Sequence, residues 1–230
     1  MARGPVLVIT GASSGIGAAS ARHAVEAGWR VVLGARSEER LHELARELGG
    51  SEAAVAQRCD VTDWDDQQAL VRTALDRFGA LDAMFANAGF GAKRGFLEES
   101  VEHWKSMIDT NVLGAALSIR ASLPHFREQG RGHVILTSSV AGRRALPGSL
   151  YSATKFAVSA MGEALRQEVS DSDIKVTLIE PGAVDTPFFE NPPQSALDAD
   201  DIGRAVVWAL SQPEHVDVNE ILVRPVRQPL

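Results

Sequence analysis

Seven short runs rich in β-branched and apolar residues, at 6–10, 31–33, 53–59, 83–86, 133–137, 175–179 and 221–223, alternate along this chain with longer segments of helical period. A strand, a covering helix and a second strand form a βαβ unit, and such units in series build a parallel sheet with helices on both faces. The pattern therefore predicts an α/β fold with a doubly wound, seven-stranded parallel sheet. Leu70, Val71, Ala74, Leu75 and Phe78 mark one amphipathic helix. Ala157, Ala160, Met161, Ala164 and Leu165 mark another, and their small side chains suit either an interior or a subunit contact. At 230 residues and 45% hydrophobic content, one core and a single domain spanning 1–230 are expected. The segment 185–199 holds Pro187, Asn191, Pro192, Pro193 and Gln194, which break any regular period, and is expected to be a mobile substrate loop.

Composition removes several function classes. The formal charge is -7, and no run of Lys or Arg could track a phosphate backbone, which argues against a nucleic-acid partner. No stretch approaches the ~20 apolar residues of a membrane helix, and the run from Pro5 to Ile9 is too short for the apolar core of a signal peptide. Cys59 is the single cysteine, so no internal disulfide can form and a reducing cytoplasm is the natural compartment. It reads as a small buried hydrophobe closing a strand. The six histidines are scattered without zinc-ligand spacing, and no metal is expected.

The first strand runs directly into Thr10-Gly11-Ala12-Ser13-Ser14-Gly15-Ile16-Gly17, followed by an alanine-rich helical segment ending near Gly28. A tight turn into a helix start needs residues without bulk, and the exposed amides of that start attract a pyrophosphate. Strand, glycine trio and helix in this order indicate a Rossmann-type dinucleotide site built from Gly11, Ser13, Ser14, Gly15, Ile16 and Gly17.

With its glycines spaced by three residues and then one, the chain resembles the short-chain dehydrogenase/reductase family over nearly its whole length. The resemblance continues in Asp60-Val61, Asn87-Ala88-Gly89, Asn111, Ser138-Ser139, Tyr151 with Lys155, and Pro181-Gly182-Ala183-Val184-Asp185-Thr186. It implies that Asp60 and Val61 flank an adenine, that Asn87, Ala88 and Gly89 line the cofactor cleft, that Val184 and Thr186 meet the carboxamide of the nicotinamide, and that Pro181 and Gly182 also bind the cofactor. Relatives preferring NAD(H) carry an acidic residue at the end of the second strand to hold the ribose hydroxyls. Here Ala35 stands there and Arg36 follows, whose guanidinium suits a 2'-phosphate, so NADP(H) is favoured over NAD(H). A second basic residue found before the middle glycine in some NADP-binding relatives is replaced by Ser14.

Tyr151 and Lys155 are four residues apart in a segment of helical composition, so both side chains rise from one face. A phenol of pKa about 10 is a weak base, and an ammonium ~6 Å away at an effective dielectric near ~20 favours the phenolate by roughly 3 kcal/mol, about two pKa units. Tyr151 is the only tyrosine. A carbonyl under reduction also needs a hydrogen-bond donor on its oxygen, and Ser138 and Ser139 both end the fifth strand. The resemblance selects Ser139, which precedes Val140-Ala141-Gly142, although it stands twelve residues before Tyr151 where the family has thirteen, a spacing that Ser138 would satisfy. Asn111 sits in a helical stretch from 101 to 126, a poor place for an amide that competes with the backbone. In the family that asparagine anchors a water linked to the lysine, and the lysine holds the nicotinamide ribose.

These expectations combine into hydride transfer between NADP(H) and a carbonyl or alcohol, such as a small ketone, aldehyde or hydroxy acid, with Tyr151 as acid and base, Ser139 orienting the oxygen, and Lys155 and Asn111 serving the proton. The pocket mouth is expected from residues 90–94, 143–147, Phe188 and Phe189, where Lys93, Arg94, Arg143 and Arg144 would suit a carboxylate. The alternative is a regulator that binds NADPH without turnover, which would not need serine, tyrosine and lysine together. The resemblance further implies a homodimer or homotetramer, joined through the helices containing Asn111 and Tyr151.

Overall fold

A computed structural model describes residues 4–189 and 193–228. The expected Asn191 and Pro192 of the segment 185–199 lie outside the described residues. The order is β1 (Val6–Thr10), α1 (Gly15–Glu26), β2 (Arg30–Ala35), α2 (Glu38–Glu47), β3 (Ala54–Arg58), α3 (Trp64–Phe78), β4 (Ala83–Ala86), α4 (Val101–Ile108), α5 (Gly114–Gln129), β5 (Arg131–Thr137), α6 (Leu150–Glu168), β6 (Asp173–Pro181), β7 (Val184–Asp185), β8 (Leu197–Asp198), α7 (Ala199–Leu210) and β9 (Glu220–Val223). Seven strands form one sheet in the order β3-β2-β1-β4-β5-β6-β9, every pair parallel. The seven expected runs are these seven strands, with ends shifted by a few residues.

The period of two along β1 explains why both faces are covered. Val6 and Val8 point into a core shared with α3, α5 and α6, and Leu7 and Ile9 into a second core shared with α1, α2 and α7. Burying both sides of the strands is what removes the alternation of polar residues from their sequences. Because the order reverses between β1 and β4, the loops after these two strands diverge to opposite faces and leave a crevice at their carboxyl ends.

Three local features add detail to the reading of the sequence. The segment 185–199 is tied at both ends: β7 pairs with β8, and the Leu197 amide donates to the Ala183 carbonyl at 2.9 Å. The core side of α6 is Val158, Gly162 and Leu165, whereas Ala160 and Ala164 are exposed with Phe156. A Cβ on Gly162 would come within 2.7 Å of Leu178 Cδ2, so close packing of helix on strand occurs at a glycine that the alanine stripe had overshadowed. Helices α4 and α5 are joined without a break by a π-helical turn, Asp109–Leu113, that contains Asn111. Cys59 is buried after β3, and burial pushes its thiol up to about 12, consistent with an inert core residue.

Candidate active site

The glycine turn sits at the crevice. Gly11 has φ +66, and a Cβ there would lie 2.9 Å from Ala88 Cα. On Gly17 a Cβ would lie 2.3 Å from the Gly11 carbonyl oxygen, so the turn closes only without side chains at these positions. Helix α1 then begins with Ser14 in the capping position but no side-chain hydrogen bond to its first amides, and no acidic residue in its first turn. In α3, α4 and α6 a capping side chain accepts from one of these amides. First-turn amides without such a cap, facing a crevice and carrying the positive end of the helix dipole, fit the pyrophosphate of a dinucleotide.

Thr10, Asn87 and Thr137 hold the floor of the crevice together. The Thr10 hydroxyl accepts from the Asn87 and Ala88 amides at 3.0 and 3.1 Å, the Asn87 side-chain amide donates to the Thr10 carbonyl at 3.1 Å, and the Thr137 hydroxyl donates to Asn87 Oδ1 at 3.1 Å. Three adjacent strands are thus locked at their carboxyl ends. At the far end of the crevice, Arg36 and Arg40 are exposed and form no ion pair among the described residues. Asp60 accepts from the Thr62 amide and hydroxyl, and these bonds, helped by Arg36 and Arg58, hold its carboxyl below the ordinary range.

At the opposite end, β5 delivers two serines with different surroundings. The Ser138 hydroxyl donates to the Lys155 carbonyl at 3.1 Å and shares a 2.7 Å hydrogen bond with the Ser159 hydroxyl, which fastens the strand to α6. The Ser139 hydroxyl donates to the Pro181 carbonyl at 3.3 Å, accepts from the Ala141 amide at 3.1 Å, and interacts with the Tyr151 phenol. Tyr151 and Lys155 share one face of α6, with the ammonium 5.6 Å from the centre of the phenol ring. Lys155 Nζ donates to the Thr137 carbonyl at 2.7 Å. Asn111, 2% exposed, accepts from the Phe90 amide at 3.0 Å and donates to the Phe90 carbonyl at 2.9 Å and the Thr154 hydroxyl at 3.1 Å. A Cβ on Gly89 would reach within 3.0 Å of Asn111 Oδ1 and 3.6 Å of Lys155 Nζ, which places the amide and ammonium both close against this glycine. The π-helical turn reconciles Asn111 with its helix, since such turns free backbone groups and redirect side chains at functional sites.

One cavity of about 890 Å³ runs between these ends. It is lined by the glycine turn, Arg36, Asp60, Val61, the Asn87 to Gly89 loop, Ser139, Tyr151, Lys155, and Pro181, Gly182, Val184 and Thr186. Ser13, Ser14 and Ile16 line it as well, while Gly17 and Asn111 stand behind its wall. The Phe188 ring packs edge-on against Tyr151, with centroids 5.4 Å apart, and Phe189 stands 5.0 Å beyond it. Burial sets the titration of the central pair. It pushes the Tyr151 phenol above its ordinary value, opposed by the Ser139 interaction, and draws Lys155 down to about 8. Attraction between the two was expected to lower the phenol, but desolvation acts on both groups and outweighs it in the protein alone.

Four basic residues were expected at the mouth, and one of them lines the cavity, Arg94. Arg143 instead pairs with Glu180 at 2.5 Å and with Glu220. Arg144 borders a separate small pocket with Leu146 and Pro147. Sequence reasoning missed Arg40 and the carboxyl-terminal Pro225, Arg227 and Gln228, which also line the cavity. The Gln228 side chain accepts from the Ala183 amide at 2.9 Å, across 45 residues of sequence that offer no local signal of this return.

The arrangement has counterparts among known proteins. The family profile described as short chain dehydrogenase matches residues 5–196. An uncharacterized oxidoreductase of Staphylococcus haemolyticus is 41% identical over 227 residues, covering 97% of this chain and 98% of that protein. The solved alcohol dehydrogenase from the archaeon Thermococcus sibiricus, complexed with 5-hydroxy-NADP, is 34% identical with a TM-score of 0.88 and 97% of each chain covered. The 3-ketoacyl-(acyl-carrier-protein) reductase from Brucella melitensis, complexed with NADH, is 29% identical with a TM-score of 0.90 and 98% of each chain covered.

Proposed function

The chain belongs to the short-chain dehydrogenase family, and from that premise we propose that it is an NADP(H)-dependent oxidoreductase interconverting a carbonyl and an alcohol, with Tyr151 as proton donor and acceptor. One observation carries this reading: Ser139, Tyr151 and Lys155 meet at one end of a cavity whose other end is an uncapped helix start behind a glycine turn. Bound there, a nicotinamide cofactor supplies or accepts the hydride. The glycine turn and the α1 amides would hold its pyrophosphate, Arg36 and Arg40 a 2'-phosphate, Asp60 and Val61 the adenine, and Val184, Thr186 and Lys155 the nicotinamide end.

The residues of the chain divide the remaining work. A phenol raised above its ordinary value is fully protonated at neutral pH and can donate to the oxygen of a reduced carbonyl. Ser139 directs that oxygen towards it. Lys155 keeps a positive charge beside the phenol, and Asn111 holds the Phe90 backbone and α6 in register around both. The relatives named above act, by their names, on an alcohol and on a 3-ketoacyl group, which supports a carbonyl or alcohol as the reacting group. Phe90, Leu146, Phe188 and Phe189 give the substrate end an apolar wall, so small ketones, aldehydes and hydroxy acids with apolar substituents suit it.

The test is a panel of ketones, aldehydes and 3-oxo acids with NADPH and NADH in parallel, followed by absorbance at 340 nm, and repeated on Tyr151→Phe. Turnover that prefers NADPH and falls at least ~10³-fold in Tyr151→Phe is expected, since the variant loses its proton donor. NADPH binding without turnover on any carbonyl or alcohol would replace this reading with that of a regulator.

A further inference from the structure

Glu180 is 0% exposed at the carboxyl end of β6, and its Oε1 has no hydrogen-bond partner among the described residues. Its Oε2 accepts from Arg143 Nε at 2.5 Å, and the same guanidinium reaches Glu220 on β9. Neither Arg143 nor Glu180 lines the cavity. A buried carboxylate with one oxygen unpaired is an expensive way to fill space, and an apolar residue of similar volume would pack there at lower cost. What the pair touches suggests why it is present.

Arg143 follows the short turn Val140–Gly142 that begins at Ser139. This turn is wedged against α6, since a Cβ on Gly142 would come within 2.7 Å of the Lys155 carbonyl and 2.9 Å of the Ser159 hydroxyl. Glu180 directly precedes Pro181, whose carbonyl accepts from the Ser139 hydroxyl. The ion pair therefore spans from the turn behind Ser139 to the residue before its hydrogen-bond acceptor, and Glu220 extends the link to the edge strand. A bidentate-capable guanidinium is suited to such a fixed three-element junction.

We propose that the Arg143–Glu180 ion pair is a positioning device that sets the Ser139 hydroxyl against Tyr151 from behind the active site. The proposal rests on the catalytic reading of Ser139 and Tyr151 given above. Two variants test it. Glu180→Leu removes the carboxylate without burying a new charge, and leaves Arg143, whose side chain is 41% exposed, its contact with Glu220. Arg143→Met with Glu180→Leu removes both charges and serves if the single variant fails to fold.

Because Tyr151 is the only tyrosine, labelling with 3-fluorotyrosine gives one fluorine resonance that reports the phenol's surroundings independently of turnover. We expect this resonance to move in Glu180→Leu in the same direction as in Ser139→Ala. We also expect kcat to fall about tenfold, because sub-ångström misplacement of an orienting group is costly, with the Kd for NADPH within about twofold of wild type by fluorescence titration. A folded variant with an unmoved resonance and wild-type kcat would overturn the proposal. If the wild-type protein turned over no carbonyl or alcohol, the catalytic reading would fall, whereas the fluorine shift would still decide whether the ion pair sets the Ser139–Tyr151 contact.

Discussion

Replacing Lys155 by Met should stabilise the protein at neutral pH while removing its turnover, and both effects have one origin. Lys155 is 3% exposed, with the Thr137 carbonyl at 2.7 Å as the acceptor of its ammonium. Burial draws its pKa from 10.5 to about 8. At about 1.4 kcal/mol per pKa unit, keeping that proton in the folded state at pH 7 costs about 3 kcal/mol relative to the unfolded chain. Met fills the volume of the side-chain stem without a charge, and loss of the Thr137 hydrogen bond returns roughly 1 kcal/mol, which leaves a net gain of about 2 kcal/mol. The sign with pH is fixed by proton counts. Between about 8 and 10.5 the unfolded chain binds more protons at this site than the folded one, so the stability of the lysine protein rises with pH through that window. The cost is fully present below about 8 and gone above 10.5. Urea unfolding of both proteins from pH 7 to 10 measures the difference, and titrations distant from the substitution, such as that of Cys59, cancel. The advantage of Lys155→Met should shrink steadily across the window and reverse near its upper end, where the charge cost is gone and only the lost hydrogen bond, worth roughly 1 kcal/mol, is left. A variant less stable than wild type at pH 7, or a difference that does not change with pH, would refute the reasoning.

The two serines at the end of β5 should separate cleanly. Ser139→Ala should lower kcat about 10²-fold, as expected for loss of a donor to a developing oxyanion. Ser138→Ala should leave kcat nearly unchanged but cost about 1–2 kcal/mol in thermal or urea unfolding, through its buried bonds to α6. Arg36→Ala should raise the KM for NADPH about 10- to 100-fold and leave that for NADH within about twofold, since a charge-assisted contact to phosphate contributes about 1.5–3 kcal/mol. Gly17→Ala, which would place a Cβ 2.3 Å from the Gly11 carbonyl oxygen, should destabilise by about 1–3 kcal/mol and abolish dinucleotide binding in a titration of NADPH fluorescence.

What could be read from the sequence had a local period or spacing behind it. The seven strands announced themselves because both faces of each central strand are buried, which leaves nearly continuous apolar runs such as Val6 to Ile9. The glycine turn and the Tyr151–Lys155 pair were legible because turn geometry and helix pitch act over a few residues. Arg143 was misplaced at the substrate mouth because its partners are 37 and 77 residues away, and nothing near it in the chain distinguishes a loop arginine in solvent from one that crosses to another strand. Thr10 and Thr137 were invisible for the same reason. Each looks like an ordinary strand residue until β1, β4 and β5 lie side by side and their hydroxyls become the links to Asn87.

The phenol shows why a spacing rule can locate a pair without giving its chemistry. Coulomb attraction between groups four residues apart on a helix can be computed from the sequence, whereas desolvation depends on what the fold places around them. In this cleft the ring of Phe188 packs on Tyr151, and Lys155 is buried at the cavity wall close to Gly89, so burial resists charge on both partners. The phenol therefore holds its proton while the ammonium is poised to lose one near pH 8. In the protein alone a phenol held protonated can donate to a carbonyl oxygen, and a further positive charge in the cleft would favour the phenolate.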